Sequence, residues 1–288
     1  MNTIVIRALA KVNLAIDVLN RRDNGYHDID MVTVPLKLHD SIEISPLGSS
    51  YDTYLFCDDP SIICDESNLA YKALDAMKSN FAVKGQYRIF IYKKIPVEAG
   101  LGGGSADAAA VIKALDNFIP KSPDKAQKLN EVAINIGSDV PFCLLDKPSR
   151  VEGIGEKLTP IKVSYPYYVL IVKPNYGLST KTVYEGYDLI TEKIRHPNIP
   201  ALIDALAKDD QEGMKANMVN VLSVPAIKAL PLIADLLNEF EMMNLPLCGM
   251  SGTGSACYAL SKDKKLLERA AAVFEQEGNS SYLTQFEI

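Results

Sequence analysis

Pro96-Val97-Glu98-Ala99-Gly100-Leu101-Gly102-Gly103-Gly104-Ser105-Ala106-Asp107-Ala108-Ala109 is the stretch from which the rest of the chain can be read, because its glycines run straight into an alanine-rich segment of helical character. Glycine lets the backbone take positive φ and approach a ligand closely, and the helix behind it offers unpaired N–H groups at the positive end of its dipole. That is the grammar of a polyphosphate cradle. The same residues also serve a tight strand-to-helix turn with no ligand. The familiar nucleotide loops do not fit: a P-loop requires Lys-Ser/Thr after its last glycine, whereas Ser105 is followed by Ala106. A dinucleotide-binding loop belongs after a first strand near the chain start, and this one lies about a third of the way in.

Outward from the loop, 288 residues with 48% hydrophobic content suffice for a real core and two domains of ordinary size. The net charge of −6, with no basic tract, argues against nucleic acid or an anionic membrane surface as the main partner. The amino terminus Met1-Asn2-Thr3-Ile4-Val5-Ile6-Arg7 lacks signal-peptide layout, and no apolar run approaches a membrane span, so a cytoplasmic location is expected. Five scattered cysteines read as reduced, partly buried small hydrophobes, and three distant histidines give no zinc spacing.

Val12, Leu14, Ile16 and Val18 alternate with Lys11, Asn13, Ala15 and Asp17, the period of a strand with one buried face, so Lys11 and Asn13 project to one side. Arg21–Gly25 reads as a turn, and Met31–Leu38 and Ser41–Ser45 as strands. Ser67 is placed to cap a helix with apolar Leu69, Ala70, Ala73, Leu74 and Met77. Tyr87–Tyr92 alternates as a strand and delivers the chain through Lys93, Lys94 and Pro96 into the loop; Ser105–Phe118 and Pro123–Ile136 read as helices. Proline and glycine break periodicity over Lys147–Pro166, a domain boundary by this reading. Beyond it come a strand at Tyr167–Val172, helices divided near Pro225, a second glycine turn at Ser251–Ser255, a strand at Ala256–Leu260 and a closing helix at Asp263–Glu275. The pattern alone gives mixed α+β in two lobes.

Three separated segments resemble one family. Ala8-Leu9-Ala10-Lys11-Val12-Asn13-Leu14 is similar to the opening strand of the GHMP small-molecule kinases, Pro96–Ala109 to their phosphate loop, and Met250-Ser251-Gly252-Thr253-Gly254-Ser255 to their third motif. Within that superfamily, Arg22–His27, Gly102–Ala109, Gly137–Phe142, Glu152–Pro160 and Lys173–Thr180 resemble the kinases of 4-diphosphocytidyl-2-C-methyl-D-erythritol, in the non-mevalonate isoprenoid pathway. The resemblance implies ATP-dependent phosphorylation of a substrate hydroxyl and a two-lobed α+β GHMP fold. A ribosomal-protein-S5-like, ATP-binding lobe would span 1–160, and an α+β substrate-side lobe 161–288. Two departures stand out: Ala-Leu-Ala-Lys replaces the family's Ala-Pro-Ala-Lys, and Asn220-Val221-Leu222-Ser223 lacks both carboxylates of its Asn-Asp-Leu-Glu.

The resemblance also implies roles. Asp139 would take the proton from the substrate hydroxyl, and Lys11 would favour its ionised form and the negative charge of the transition state. A turn or cap aspartate and an exposed-edge lysine are the plain alternatives. Asn13 would hold substrate hydroxyls, Tyr26 and His27 would recognise cytosine, and Thr180 would reach the substrate from the second lobe. Turn decoration and a helix cap explain those last three equally simply. Gly100, Leu101, Gly102, Gly103, Gly104 and Ser105 would cradle ATP, with Lys94 as a point charge and Asn68 near the adenine. Mg²⁺ is implied as the phosphate counter-ion, although no dedicated metal ligand can be read. The implied partner is the small cytidine-diphosphate-linked substrate, for a monomer or weak homodimer. The rivals are a mevalonate, phosphomevalonate or homoserine kinase of the same superfamily, or a homologue that binds nucleotide or sugar without catalysis.

Overall fold

A computed structural model of the chain describes residues 3–48, 50–81 and 83–288, so Met1 and Asn2 of the amino-terminal reading lie outside the described residues. In chain order come strands β1 (Ile4–Arg21), β2 (His27–Leu47) and β3 (Tyr54–Cys57), helix α1 (Leu69–Phe81), β4 (Gln86–Tyr92), and helices α2 (Gly103–Asp116), α3 (Lys125–Ile136) and α4 (Val140–Leu145). There follow β5 (Ser149–Gly153), β6 (Lys157–Pro160), β7 (Tyr168–Lys173), and helices α5 (Thr180–Asp188), α6 (Ile199–Lys208), α7 (Gln211–Asn217), α8 (Ser223–Ala229) and α9 (Leu232–Met242). Strands β8 (Cys248–Met250) and β9 (Cys257–Ser261), helix α10 (Lys264–Gln276) and strand β10 (Ser280–Gln285) complete the chain. Among the described residues no helix is long and apolar enough to cross a membrane.

These elements form two compact units that interleave along the chain. The first takes the chain up to Ala10, Leu38–Ile95 and Gly102–Asp146; the second takes Lys11–Lys37, Pro96–Leu101 and Lys147–Ile288. Strands β1 and β2 therefore each contribute to both, and the glycine loop leaves the first unit at Ile95 and rejoins it at Gly102. The expected division at 160/161 is one of position along the chain, not the outline of a compact unit.

In the first unit β4 pairs antiparallel with the end of β2, from Ser41↔Tyr92 to Leu47↔Gln86, and parallel with β3. Ile42, Ile44, Ile89 and Ile91 alternate inward from those strands and are essentially fully buried. Helices α1 and α2 pack together, with Ala70, Ala73, Leu74 and Met77 facing core from α1. Helix α2 is buried along Ala106–Ile112 because its alanines let neighbouring backbones come close.

In the second unit the start of β2 pairs with β5 from Ile29↔Gly153 to Thr33↔Ser149, and β5 with β6. A four-stranded antiparallel sheet runs in the order β10-β7-β9-β8. Val169–Val172 of β7 is buried on both faces, and Phe274 of α10 meets Phe240 of α9 edge-on at 4.9 Å. Each such large apolar side chain, fully buried, contributes roughly 1.5–3 kcal/mol.

Several local expectations are corrected. Met31–Leu38 and Ser41–Ser45 are one continuous strand, β2. The chain does pass from the first unit to the second at the start of the stretch read as a boundary, Lys147–Pro166, but that stretch is no bare linker, since it holds the β5–β6 hairpin. Pro225 lies in the first turn of α8, where the ring removes no helical hydrogen bond; the helices part on either side of α8, at residues 218–222 just before that proline and again at Leu230-Pro231. The α1 cap is Asn68, not Ser67: its Oδ1 accepts from Ala70 N at 2.9 Å, while Ser67 bonds Asp65. Finally, β1 has no solvent face over Ala8–Ile16, and Lys11 is 3% and Asn13 1% exposed.

Candidate active site

In the first unit the starts of α1 and α2 and the turn before α4 converge. Gly102 caps α2 in the left-handed region at φ 72° and supplies no side-chain bond, so no side chain at the cap takes the helix's first N–H groups. Gly103 is the tightly placed one: a Cβ there would lie 3.2 Å from Ile95 Cγ2 and 3.3 Å from Lys93 Nζ. One on Gly104 would meet Leu69 Cδ1 at 3.6 Å, and one on Gly137 would meet Ser105 Oγ at 3.7 Å. Ser105 thus borders the Gly137-Ser138-Asp139 turn. Asp139 occupies the cap position of α4, but its side chain makes no capping bond there, which sets aside the plain cap reading. Asn68 spends Oδ1 on its cap and one Nδ2 hydrogen on Ile63 O, leaving one amide hydrogen.

Lys94 has an exposed side chain, and its backbone N donates to Asp40. The buried cation is its neighbour: the Lys93 side chain is 6% exposed and bonds Asp40 Oδ2 at 2.6 Å and Asp107 Oδ2 at 2.9 Å. Burial pushes the Asp107 carboxyl up to about 7; Lys93 opposes that shift and Asp40 adds to it. For Lys93, burial works against the charge, yet Asp107 and Asp40 prevail and its pKa is raised.

In the second unit β1 carries a polar chain through an apolar interior. Lys11 Nζ donates to Asn13 Oδ1 at 2.6 Å, and Asn13 Nδ2 donates to Thr33 Oγ1 at 2.9 Å. This strand is stitched to the glycine loop by Lys11 N to Leu101 O at 3.0 Å, and Leu101 itself is buried. Ser251 of the third motif joins all three pieces: its Oγ accepts from Asn13 N at 3.2 Å and donates to Gly100 O at 2.9 Å. Gly100, at φ 70°, passes so close that a Cβ would stand 2.1 Å from Ser251 O. Thr180 Oγ1 lies 3.2 Å from Thr253 Oγ1 of the same motif.

Asn220 explains why the altered Asn220–Ser223 segment still works as a tie. Its Nδ2 donates to Met250 O at 3.0 Å and Gly252 O at 2.8 Å, while Ile16 of β1 bonds the backbone of Val219 and Val221 on either side. The amide makes the connection, and the absent carboxylates take no part in it.

The Arg22–Tyr26 turn is held by Arg22 N to Tyr26 O at 2.7 Å and by the Arg22 guanidinium on Asp28. Tyr26 is 59% exposed, whereas the His27 side chain is 7% exposed. His27 Nε2 lies 2.7 Å from Asp188 Oδ1, its ring stacks on Tyr184 at 5.1 Å, and Tyr187 meets it edge-on at 6.5 Å. A carboxylate opposite Nε2 fixes the proton there, which leaves Nδ1 of the neutral ring as an acceptor. A cavity of about 490 Å³ opens here, lined by Val18, Arg21, His27, Tyr187 and Asp188 among others.

Taken by chemistry, the two units hold N–H groups for a polyphosphate, a carboxylate at a turn, a buried ammonium beside a buried amide, and an oriented imidazole. A protein from Lachnoclostridium phytofermentans named 4-diphosphocytidyl-2-C-methyl-D-erythritol kinase is 37% identical to this chain, over 99% of it and 98% of the relative. The chain belongs to the 4-diphosphocytidyl-2-C-methyl-D-erythritol kinase family. A solved structure titled as a 4-(cytidine 5'-diphospho)-2C-methyl-D-erythritol kinase matches with TM-score 0.81 at 29% identity, over 99% of this chain and all 100% of that one. Residues 68–147 match the model described as GHMP kinases N terminal domain. The homoserine kinase of Cytophaga hutchinsonii, at 16% identity and TM-score 0.74 over 100% of this chain and 95% of its own, shares the fold. Membership of a kinase family implies ATP as phosphoryl donor and a small-molecule acceptor.

In this family member the sequence reading passed over Thr33, Asp40, Lys93, Tyr184, Tyr187, Asp188 and the tie made by Asn220. Asp40 did leave a signal, a carboxylate inside a strand-forming run. Asp188 left none, since nothing local pairs it with His27, 161 positions away.

Proposed function

We propose that this chain transfers the γ-phosphoryl group of ATP to a hydroxyl of the methylerythritol part of 4-diphosphocytidyl-2-C-methyl-D-erythritol, within the non-mevalonate route to isoprenoid precursors. The observation that carries the reading is 37% identity sustained over 99% of the chain to a kinase of that name. We assign 1–160 to ATP and 161–288 to the substrate side, and a cytoplasmic monomer or weak homodimer as the working form.

Asp139 is the base that removes the hydroxyl proton as the oxygen attacks phosphorus, and ADP leaves. Lys11 supplies a fixed cation for the charge that builds on the attacking oxygen and the phosphoryl group; its bond to Asn13 aims the ammonium and costs it little freedom. Asn13 and Thr180 position the substrate's hydroxyls. Tyr26 offers a stacking face to cytosine, and His27, oriented by Asp188, offers its Nδ1 to the base's amino group. Backbone N–H groups over Gly100–Gly104 and the Ser105 hydroxyl receive the phosphates, with Leu101 anchoring the loop, Lys94 adding a mobile charge and Asn68 its spare amide hydrogen near the adenine.

Among the described residues no group of three His, Cys, Asp or Glu side chains forms a metal cage. Mg²⁺ would be held chiefly by phosphate oxygens and water, and the Ser105 hydroxyl at the helix start would be the protein group to offer it an oxygen. When bound, Mg²⁺ neutralises the phosphates.

The test is Asp139→Asn, with ADP formation and ATP affinity both measured. Turnover is expected to fall by about three orders of magnitude or more while ATP binds within a few-fold of wild type. A variant that turns over at the wild-type rate removes Asp139 as the base.

A further inference from the structure

The strand end that enters the glycine loop and the helix that leaves it are tied together, within the first unit, by three buried ionisable side chains that have no part in the chemistry above. Asp40 in β2 is fully buried. Its Oδ1 accepts the last two backbone N–H groups before the loop, Lys94 at 2.5 Å and Ile95 at 2.8 Å. Its Oδ2 accepts from Lys93 Nζ at 2.6 Å. The same ammonium reaches Asp107 Oδ2 at 2.9 Å, in the second turn of α2, and stands 3.3 Å from where a Cβ on Gly103 would be. Lys93 is held from its backbone too, by Asp58 Oδ1 at 2.8 Å.

A buried ammonium between two carboxylates is a poor device for stability, because an apolar trio of similar volume does as well or better. What it supplies is direction. Asp40 fixes the incoming backbone, Lys93 bridges from that carboxylate to α2, and Asp107 fixes the helix whose open N–H groups follow Gly102. Among the described residues the buried Asp107 Oδ1 has no hydrogen-bond partner, and its Oδ2 takes the Lys93 ammonium.

We propose that Asp40, Lys93 and Asp107 are positioning residues for the ATP loop: they set the separation of its two ends at Ile95 and Gly102, and with it the aim of the Gly102–Gly104 N–H groups at the polyphosphate. The proposal rests on the ATP reading above. In this role the cluster acts through the backbone it holds.

Calorimetric titration of ATP, and separately of CDP as a probe of the cytidine side, into the full-length protein tests it, at a temperature well below each protein's melting point. Lys93→Met should weaken ATP at least tenfold, and Asp107→Asn, which keeps an acceptor for Lys93, at least threefold. CDP affinity should stay within twofold in both. If Lys93→Met does not fold, Asp107→Asn decides alone. ATP affinity within twofold of wild type in a folded variant overturns the clamp and leaves the cluster a purely structural role. A parallel loss of CDP affinity overturns it as well, since that marks general loosening. If the wild-type protein itself binds no ATP, the kinase reading falls and the clamp with it; if wild type binds and the variants match it, the clamp alone falls.

Discussion

Gly100→Ala isolates the close approach on which the second unit's polar core depends. Two costs attach to the added methyl. The first is the left-handed backbone at φ 70°, worth about 1–2 kcal/mol to any residue with a Cβ. The second is steric: the Cβ would stand 2.1 Å from Ser251 O and 2.9 Å from Ser251 C, where ordinary contact begins at 3.4 Å. Both atoms are backbone, so no side chain can rotate away, and loop and turn must part by about 1 Å, a displacement that costs on the order of 100-fold in a reaction governed by positioning. Parting them also breaks the Ser251 bond to Gly100 O. Gly278→Ala is the matched control, because Gly278 has φ 87° with nothing within 4 Å of its Cβ position and so carries the backbone cost alone. Urea unfolding should find Gly278→Ala less stable by about 1 kcal/mol and Gly100→Ala by about 2–5 kcal/mol. Coupled ADP-release kinetics should find kcat/KM for ATP down on the order of 100-fold in Gly100→Ala, or about 2.7 kcal/mol of transition-state stabilisation, and unchanged in Gly278→Ala. A Gly100→Ala protein as stable as Gly278→Ala, with kcat/KM within twofold of wild type, would rule out a close approach of loop and turn at Gly100.

Asp188→Asn exchanges a charged for a neutral partner at His27 Nε2, a loss of about 1 kcal/mol in ring orientation. Steady-state kinetics should show KM for the cytidyl substrate raised about fivefold with KM for ATP unmoved, and equal shifts in both would contradict the assignment. Stability should also depend on pH through Asp107, whose folded-state pKa of about 7 lies above its ordinary 3.8 because burial, with Asp40, outweighs Lys93. The folded protein then holds a proton that the unfolded chain has lost, so this contribution is complete below the ordinary value and disappears as pH rises through about 7. Unfolding free energy should fall between pH 5 and pH 8 by no more than about 1.4 kcal/mol per unit from this group. Asp107→Asn should flatten that slope, and an unaltered slope would assign it elsewhere.

Much of this was legible because it is local. The alternation over Lys11–Val18, the apolar spacing of α1 and the glycine run before α2 each write their element into a few consecutive residues. The faces those elements bury were not legible in the same way. Lys11 and Asn13 read as a polar face, yet both are enclosed, because Asn13 accepts from the Lys11 ammonium and is itself partnered by Thr33 and Ser251 from 20 and 238 positions away. Gly100 and Gly102 announced that the backbone needs freedom, but the reason for Gly100, a carbonyl of the third motif, is a tertiary fact. Asn68 took the cap from Ser67 because Asp65 had already claimed the serine hydroxyl. His27 shows the sharpest limit: a Gly-Tyr-His turn says nothing of the tyrosine it stacks on or the aspartate that orients it, both of which belong to α5.

ADP release from Mg-ATP, run separately with 4-diphosphocytidyl-2-C-methyl-D-erythritol, mevalonate, phosphomevalonate and homoserine, decides which hydroxyl the protein phosphorylates. Turnover with the cytidyl substrate alone, yielding a phosphomonoester on its methylerythritol part, is the predicted result. Turnover with one of the other acceptors instead, or with none by a protein that still binds ATP, would contradict it.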